Sequence, residues 1–240
     1  MDDYERQVRE AIPTYVVVPV RDAGDPVPIT GLVQGVAGII TVPNSDVPAE
    51  KRGVTETNTV YKWNLGVEWA RGEAAAEGFP KFNVLFLNDD VVLDVERVAS
   101  QLSQALRSDP SYELAYPNVY DIEGTGVMAT HSDEMAGQTF AGWCFMLRGE
   151  SMEPFDDRYV WHYGDSAYEK RIRRRGKQVV TVLDCRVDHL RPNEATISSP
   201  ELIRQAVADE ALFVDEWNVD PTTLYWAKNP QLVESASKSL

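Results

Sequence analysis

Phe82 to Asp94 reads FNVLFLNDDVVLD. Val84, Leu85, Phe86 and Leu87 are four consecutive apolar residues. A run so short and so unbroken suits a central parallel strand covered on both faces. It stops on Asn88, Asp89 and Asp90. Three short oxygen-bearing side chains pack poorly at the end of a buried strand. They suit a hard divalent cation, because Mg²⁺ and Mn²⁺ take oxygen ligands and share them with substrate phosphates. In open α/β sheets the ligand crevice lies at the carboxyl ends of the strands. A strand end running into a helix N-cap is the competing reading of the same three residues.

Upstream, TYVVVPV at 14–20 reads as a first buried strand, followed by Arg21, Asp22 and a loop with Gly24, Pro26 and Pro28. Residues 29–36 fit a short helix, and GIITV at 38–42 a second strand ending in Pro43, Asn44, Ser45 and Asp46. Val60, Trp63, Val67 and Ala70 fall at helical spacing within 55–75. This alternation of strands and helices is that of a doubly wound parallel sheet. Downstream, 95–106 reads as a helix broken by Asp109-Pro110, and 114–119 as a strand. Residues 121–139 read as a loop or irregular hairpin, and FAGWCFML at 140–147 as a further strand. An aromatic stretch, 155–163, leads into Gly164-Asp165 and a helix over about 166–175 that Gly176 stops. A strand at 178–183, Asp188-His189 and a helix at 200–217 follow, and the remainder to Leu240 reads as an extended tail.

Composition narrows the function. The net charge of −15 argues against a nucleic-acid backbone as partner, which needs clustered Lys and Arg. The basic run Lys170, Arg171, Arg173, Arg174, Arg175 and Lys177 reads first as a solvated helix face. Cys144 and Cys185 lie in apolar segments without metal-ligand spacing and read as reduced thiols of a cytoplasmic protein. MDDYERQVRE is too acidic for a signal peptide, and no apolar run approaches the roughly 20 residues that span a bilayer. One domain of 240 residues, 43% hydrophobic, can bury a sizeable core.

From about Thr14 to Leu190 the chain resembles an inverting GT-A glycosyltransferase of the family-two type. Val18-Pro19 ends the first strand as in that family. KWNLGVEWARGE matches its arginine-asparagine-x-glycine helix at Asn64, Gly66, Ala70 and Gly72, with Trp63 in place of the basic residue and Lys62 beside it. LFLNDDV matches the Asp-x-Asp metal motif in its Asn-Asp-Asp variant. Gly142 fits the glycine opening the acceptor-side strand, and FDDRYVWHYGD, Phe155 to Asp165, the lead-in to the Glu-Asp pair. Arg171, Gly176 and His189 fall at the family's later positions. Gly164 replaces the first acid of the pair, and Pro43 stands where the family often has a base-reading aspartate.

The resemblance implies a mostly parallel, Rossmann-like GT-A sheet in a single domain. About 14–120 would form the nucleotide-sugar half, 121–217 the acceptor half and 218–240 a tail. It implies a nucleoside-diphosphate sugar donor, UDP-sugar foremost, Mn²⁺ or Mg²⁺, and a saccharide, lipid-linked or protein acceptor. Glycosyl transfer needs stabilisation of the leaving diphosphate and a carboxylate to take the acceptor's proton. Asp90 is then the first metal ligand with Asp89 close by, and His189 a second ligand or diphosphate contact. Asp165 is the general base, although it could equally N-cap the helix at Ser166, or do both. Pro19, Arg21 and Asn44 would surround the nucleobase. Asn64 would face the nucleotide, its helix's apolar face being taken by Trp63 and Val67, and Arg171 would reach a phosphate or the Asp165 loop. His131 and His162 read as structural or exposed, Trp143 and Trp161 as core or wall residues, and Trp69 as packing. A catalytically silent sugar-nucleotide-binding module and a nucleotidyltransferase are the competing classes. The first predicts damage at Asp90 or Asp165, which are intact. The second predicts a glycine-rich loop where the sequence has RDAGDPVP.

Overall fold

The computed structural model describes residues 12–25, 27, 36–53, 55–119, 121–130, 142–189 and 194–237. The helix expected at 29–36 and His131 lie outside them, as does the start of the strand expected at 140. In chain order the elements are β1 (Thr14–Pro19), β2 (Val36–Val42), α1 (Thr59–Ala76), β3 (Asn83–Leu87), β4 (Val91–Val92) and α2 (Val95–Ser108). Then come β5 (Tyr112–Pro117), β6 (Val127–Ala129), β7 (Cys144–Arg148), α3 (Gly164–Arg174), β8 (Gln178–Val182) and β9 (Asp188–His189). The chain continues with α4 (Glu194–Ser198), α5 (Pro200–Trp217), α6 (Tyr225–Lys228) and α7 (Pro230–Ser237).

Seven strands form one sheet in the order β2-β1-β3-β7-β5-β8-β6. β2, β1, β3, β5 and β8 point one way, and β7 and β6 oppose them. The sheet is therefore mostly parallel, as expected, with two opposed strands. β7 runs antiparallel between β3 and β5, Cys144 pairing with Leu87 and Arg148 with Asn83. A strand buried on both faces shows the same apolar run in either direction, so sequence cannot tell them apart.

Alternate residues of the central strands feed two apolar layers. Tyr15, Val17, Val84 and Phe86 pack with α1, α3 and α5, around Trp63, Phe145, Phe155 and Phe213. Val16, Val18, Leu85 and Leu87 pack with α2 through Val98, Leu102 and Leu106. Each such side chain, fully buried, stabilises the fold by about 1.5–3 kcal/mol before chain entropy is charged. Gly66 lets α1 approach β1 closely, since a Cβ there would run into Val17. Asn58, Asp94 and Ser199 cap α1, α2 and α5, each accepting a main-chain N–H three residues on.

The C-terminal region is not an extended tail. After Asn218, which ends α5 in the left-handed region at φ 51°, a 3₁₀ turn at Pro221–Thr223 leads to α6 and α7. Trp226 and Ala236 bury themselves against Ile203 and Ala206 of α5. Elements of four and eight residues are too short to show helical periodicity. Within the stretch expected as a loop or irregular hairpin, β6 adds an edge strand antiparallel to β8. The basic run of α3 is not a plain solvated face. Arg171 pairs with Asp156, Arg173 with Glu169, and Arg175 with Glu113 and Glu153, while Arg174 stacks 4.0 Å over the Trp217 ring. Trp69, read as packing, is 40% exposed. Cys144 and Cys185 are buried free thiols. Among the described residues no helix is long and apolar enough to cross a membrane.

Candidate functional site

The turn after β3 is shaped by two distant segments. Asn88 donates its main-chain N–H to the Trp143 carbonyl at 2.9 Å. β4, immediately after Asp90, pairs with β9 in a separate two-stranded ribbon that sets Val91 opposite His189. The ribbon brings the His189 Nε2 atom to 3.0 Å from Asp90 Oδ1, 99 residues away in sequence. The two side chains are 13% and 18% exposed, so the pair is shielded yet open to solvent. The Trp143 ring stacks on the His189 ring, centroids 4.8 Å apart and planes at 24°. Partial loss of hydration, then repulsion from Asp90, raises the Asp89 carboxyl above its usual range.

This donor set fits a divalent ion. Two ligands at right angles around Mg²⁺ or Mn²⁺, each bonded at about 2.1 Å, stand about 3 Å apart. One oxygen and one imidazole nitrogen favour Mn²⁺ over Mg²⁺. Among the described residues no group of three His, Cys, Asp or Glu could hold an ion. The pair would therefore share the ion with oxygens from a bound substrate and water.

Asp165 lies in the first turn of α3, which begins at Gly164, two residues earlier than the spacing suggested. Its Oδ1 accepts the N–H of Ser166 at 2.8 Å and its Oδ2 the N–H of Gly142 at 2.9 Å. A Cβ on Gly142 would lie 2.6 Å from that Oδ2, so only glycine lets the two segments approach. Burial raises the Asp165 pKa, against the lowering effect of its main-chain hydrogen bonds. Gly142 thus holds Asp165 while its neighbour Trp143 holds Asn88 and His189. One dipeptide ties the carboxylate on α3 to the carboxylate–imidazole pair beyond β3.

No protein-family model matches this chain, and no curated protein matches it. Its residues and their geometry carry the functional argument.

At the carboxyl ends of β1 and β2 the structure adds a residue that the sequence reading passed over. Lys62 is 4% exposed, and its Nζ donates to the Val20 carbonyl at 2.9 Å and to Asn44 Oδ1 at 2.7 Å. Thr57 Oγ1 donates to the same Asn44 oxygen at 2.8 Å. Burial lowers the Lys62 pKa to about 8, opposed by the charge of Asp89. Lys62 therefore connects the expected nucleobase end of the site, where the Arg21 carbonyl accepts the Asn44 N–H at 3.0 Å, to the acidic turn. Pro19 closes β1 opposite Val42, and the Arg21 side chain is exposed beside it. Lys62 is the basic residue that the sequence places beside Trp63.

Two expected site residues make contacts that brace the scaffold. The Asn64 amide donates to the Phe155 carbonyl at 2.9 Å and accepts the Phe155 N–H at 2.8 Å. Both bonds run to one residue's main chain, so Asn64 pins the aromatic lead-in to α1. Arg171 is held by Asp156 at 2.7 Å, with Glu216 at 3.7 Å. It stands six residues past Asp165, about 9 Å further along α3, and through Asp156 it supports the segment that leads to Asp165, one of the two roles expected of it. Tyr61, Asn64, Glu68, Asp156, Asp157 and Arg171 line a cleft of about 480 Å³ that includes neither Asp90, His189 nor Asp165. His162 is structural: burial lowers its pKa to about 4, and its ring packs on Trp226.

Proposed function

We propose that this chain is a GT-A-type glycosyltransferase that moves a sugar from a nucleoside-diphosphate sugar to an acceptor hydroxyl with inversion. The observation that carries the reading is the Gly142-Trp143 bridge, with Asp165 on one side and the Asp90–His189 pair on the other. Asp90 and His189, with Asp89 at the same turn, would hold Mn²⁺ or Mg²⁺ against the donor diphosphate. When bound, the ion supplies Lewis-acid stabilisation of the departing diphosphate. Lys62, Asn44 and the chain after Pro19 would border the nucleotide at the carboxyl ends of β1 and β2, where ligands of such sheets bind.

Asp165 takes the acceptor's proton as the hydroxyl oxygen attacks the anomeric carbon. The bond from that carbon to the diphosphate oxygen breaks, and its electron pair leaves with the nucleotide. A single displacement of this kind inverts the anomeric centre. The raised pKa of Asp165 suits a base, because its conjugate acid forms more readily than that of an ordinary carboxylate. UDP-sugars are the first donors to test, and saccharide, lipid-linked and protein hydroxyls the acceptor classes. The experiment is a screen of nucleotide sugars for Mn²⁺-dependent thermal stabilisation, followed by mass spectrometry of acceptor mixtures with the stabilising donor. A stabilising donor and an acceptor heavier by one sugar are expected. Stabilisation without transfer to any acceptor would favour a binding module and remove the enzyme reading.

A further inference from the structure

The loop that delivers Asp165 is held from behind by two adjacent carboxylates on α5. Asp209 is 2% exposed and accepts the main-chain N–H groups of Trp161 and His162 at 2.8 Å each and of Val160 at 3.3 Å. It also accepts the Gln205 side-chain amide at 2.9 Å. A carboxylate offers about four acceptor positions, so this one is fully engaged. Glu210 is 7% exposed and accepts the Tyr163 phenol at 2.5 Å. It accepts in addition the main-chain N–H groups of Trp226 at 3.0 Å and Ala227 at 3.2 Å, in the first turn of α6.

Between them the two side chains hold four consecutive residues, 160–163, that have no regular secondary structure. Tyr163 ends the segment at φ 62°, in the left-handed region. A non-glycine residue there costs about 1–3 kcal/mol and persists only where its surroundings over-determine it. Gly164 follows, pressed so closely on Val60 of α1 that a Cβ would not fit, and then Asp165. The loop is thus fixed by α5 at its back and by α1 at its front. Burying two carboxylates is costly unless their hydrogen bonds are complete, and here those bonds are made to the segment that leads into the base.

We propose that Asp209 and Glu210 are positioning residues that fix the Asp165 carboxylate, with α6 joined to the same clamp through Glu210. The inference rests on the reading of Asp165 as general base and goes beyond it by naming what aims that base. Positioning matters at this scale, since a misplacement of about 1 Å costs on the order of 10²-fold in rate.

The test uses the full chain as wild type, Asp209→Asn and Tyr163→Phe. Asp209→Asn keeps the shape but turns an acceptor into a donor that faces main-chain N–H groups. Tyr163→Phe removes one hydroxyl and with it the link to Glu210, and it serves as the milder variant if the first does not fold. Carboxyl-carbon NMR follows the titration of Asp165 in each protein, and donor affinity and turnover are measured beside it. Asp165 is expected to titrate above the ordinary carboxylate range in wild type and to move back towards it in both variants. Turnover should fall by about 10²-fold in Asp209→Asn, with donor affinity unchanged. An Asp165 titration that is the same in all three proteins would overturn the clamp whatever the activity. A wild-type protein inert towards every donor would overturn the base reading instead, and the titration would still decide the clamp.

Discussion

The end of β3 and the start of α3 each carry a carboxylate, and they hold it differently. Asp90 projects from a turn completed by a two-stranded ribbon, and its side chain meets the His189 ring. Asp165 is locked by two main-chain N–H groups, and the loop before it by two buried carboxylates of α5. The contrast follows from the chemistry proposed for each. A metal–diphosphate site must accept oxygens from outside, so it keeps coordination positions open. A general base must meet one proton at one place, so its geometry is fixed in advance.

The largest expected effect breaks the locked side. Asp165→Asn keeps the size, leaves one oxygen to accept a main-chain N–H in place of two, and cannot take a proton. Turnover should fall by about 10²–10⁴-fold, while steady-state kinetics and calorimetry show donor affinity unchanged. The sign of the pH dependence follows from the raised pKa: the base works when deprotonated, so wild-type turnover rises with pH through a limb above the ordinary carboxylate range. That limb should be missing from the residual activity of the variant. Near-full turnover in Asp165→Asn would reduce the residue to a helix cap.

Gly142→Ala comes next and acts on the bridge itself. The new Cβ would stand 2.6 Å from Asp165 Oδ2, so carboxylate or loop must shift. A loss of about 10²-fold in turnover is expected, with a smaller change in donor affinity, since His189 is reached through Trp143 rather than Gly142. Equal losses on both measures would mean that the two halves are not separable.

The smallest effect concerns the nucleotide end. Lys62→Met fills the same space but removes the lysine donor from the Val20 carbonyl and from Asn44 Oδ1, which keeps its bond from Thr57. The expected cost is about 1–3 kcal/mol in denaturant unfolding. The Lys62 pKa is lowered from 10.5 to about 8, so above pH 8 the unfolded chain binds a proton that the native one does not. Wild-type stability should therefore rise relative to Lys62→Met as pH increases from 8 towards 10.5, and level off beyond. A difference that is flat with pH would place Lys62 in an unperturbed environment.

Much of the scaffold was legible because its signals are local. The apolar runs at 14–20 and 84–87 became β1 and β3, and the stripe Val60, Trp63, Val67, Ala70 became the buried face of α1. The helix expected at 200–217 is α5, with proline at its first position and Ser199 as its cap. The approach of His189 to Asp90 followed from the pattern of motifs, and the ribbon that achieves it is two residues per strand, too short to read. The bracing contacts of Asn64 and Arg171 were not legible because their partners lie outside their own helices. The Phe155 main chain lies 91 residues from Asn64, and nothing in the helix sequence points to it. Asp209 and Glu210 were hidden for the converse reason: two acids on an amphipathic helix look solvent-exposed until the loop they bind is in place.

The division of labour between the two carboxylates is the central claim, and one measurement tests it directly. Mn²⁺-dependent binding of UDP is titrated calorimetrically to Asp90→Ala and Asp165→Asn side by side. The account predicts that the metal-dependent affinity is lost in Asp90→Ala and kept in Asp165→Asn, with both proteins folded. Affinity retained in Asp90→Ala, or lost alike in both variants, would contradict it.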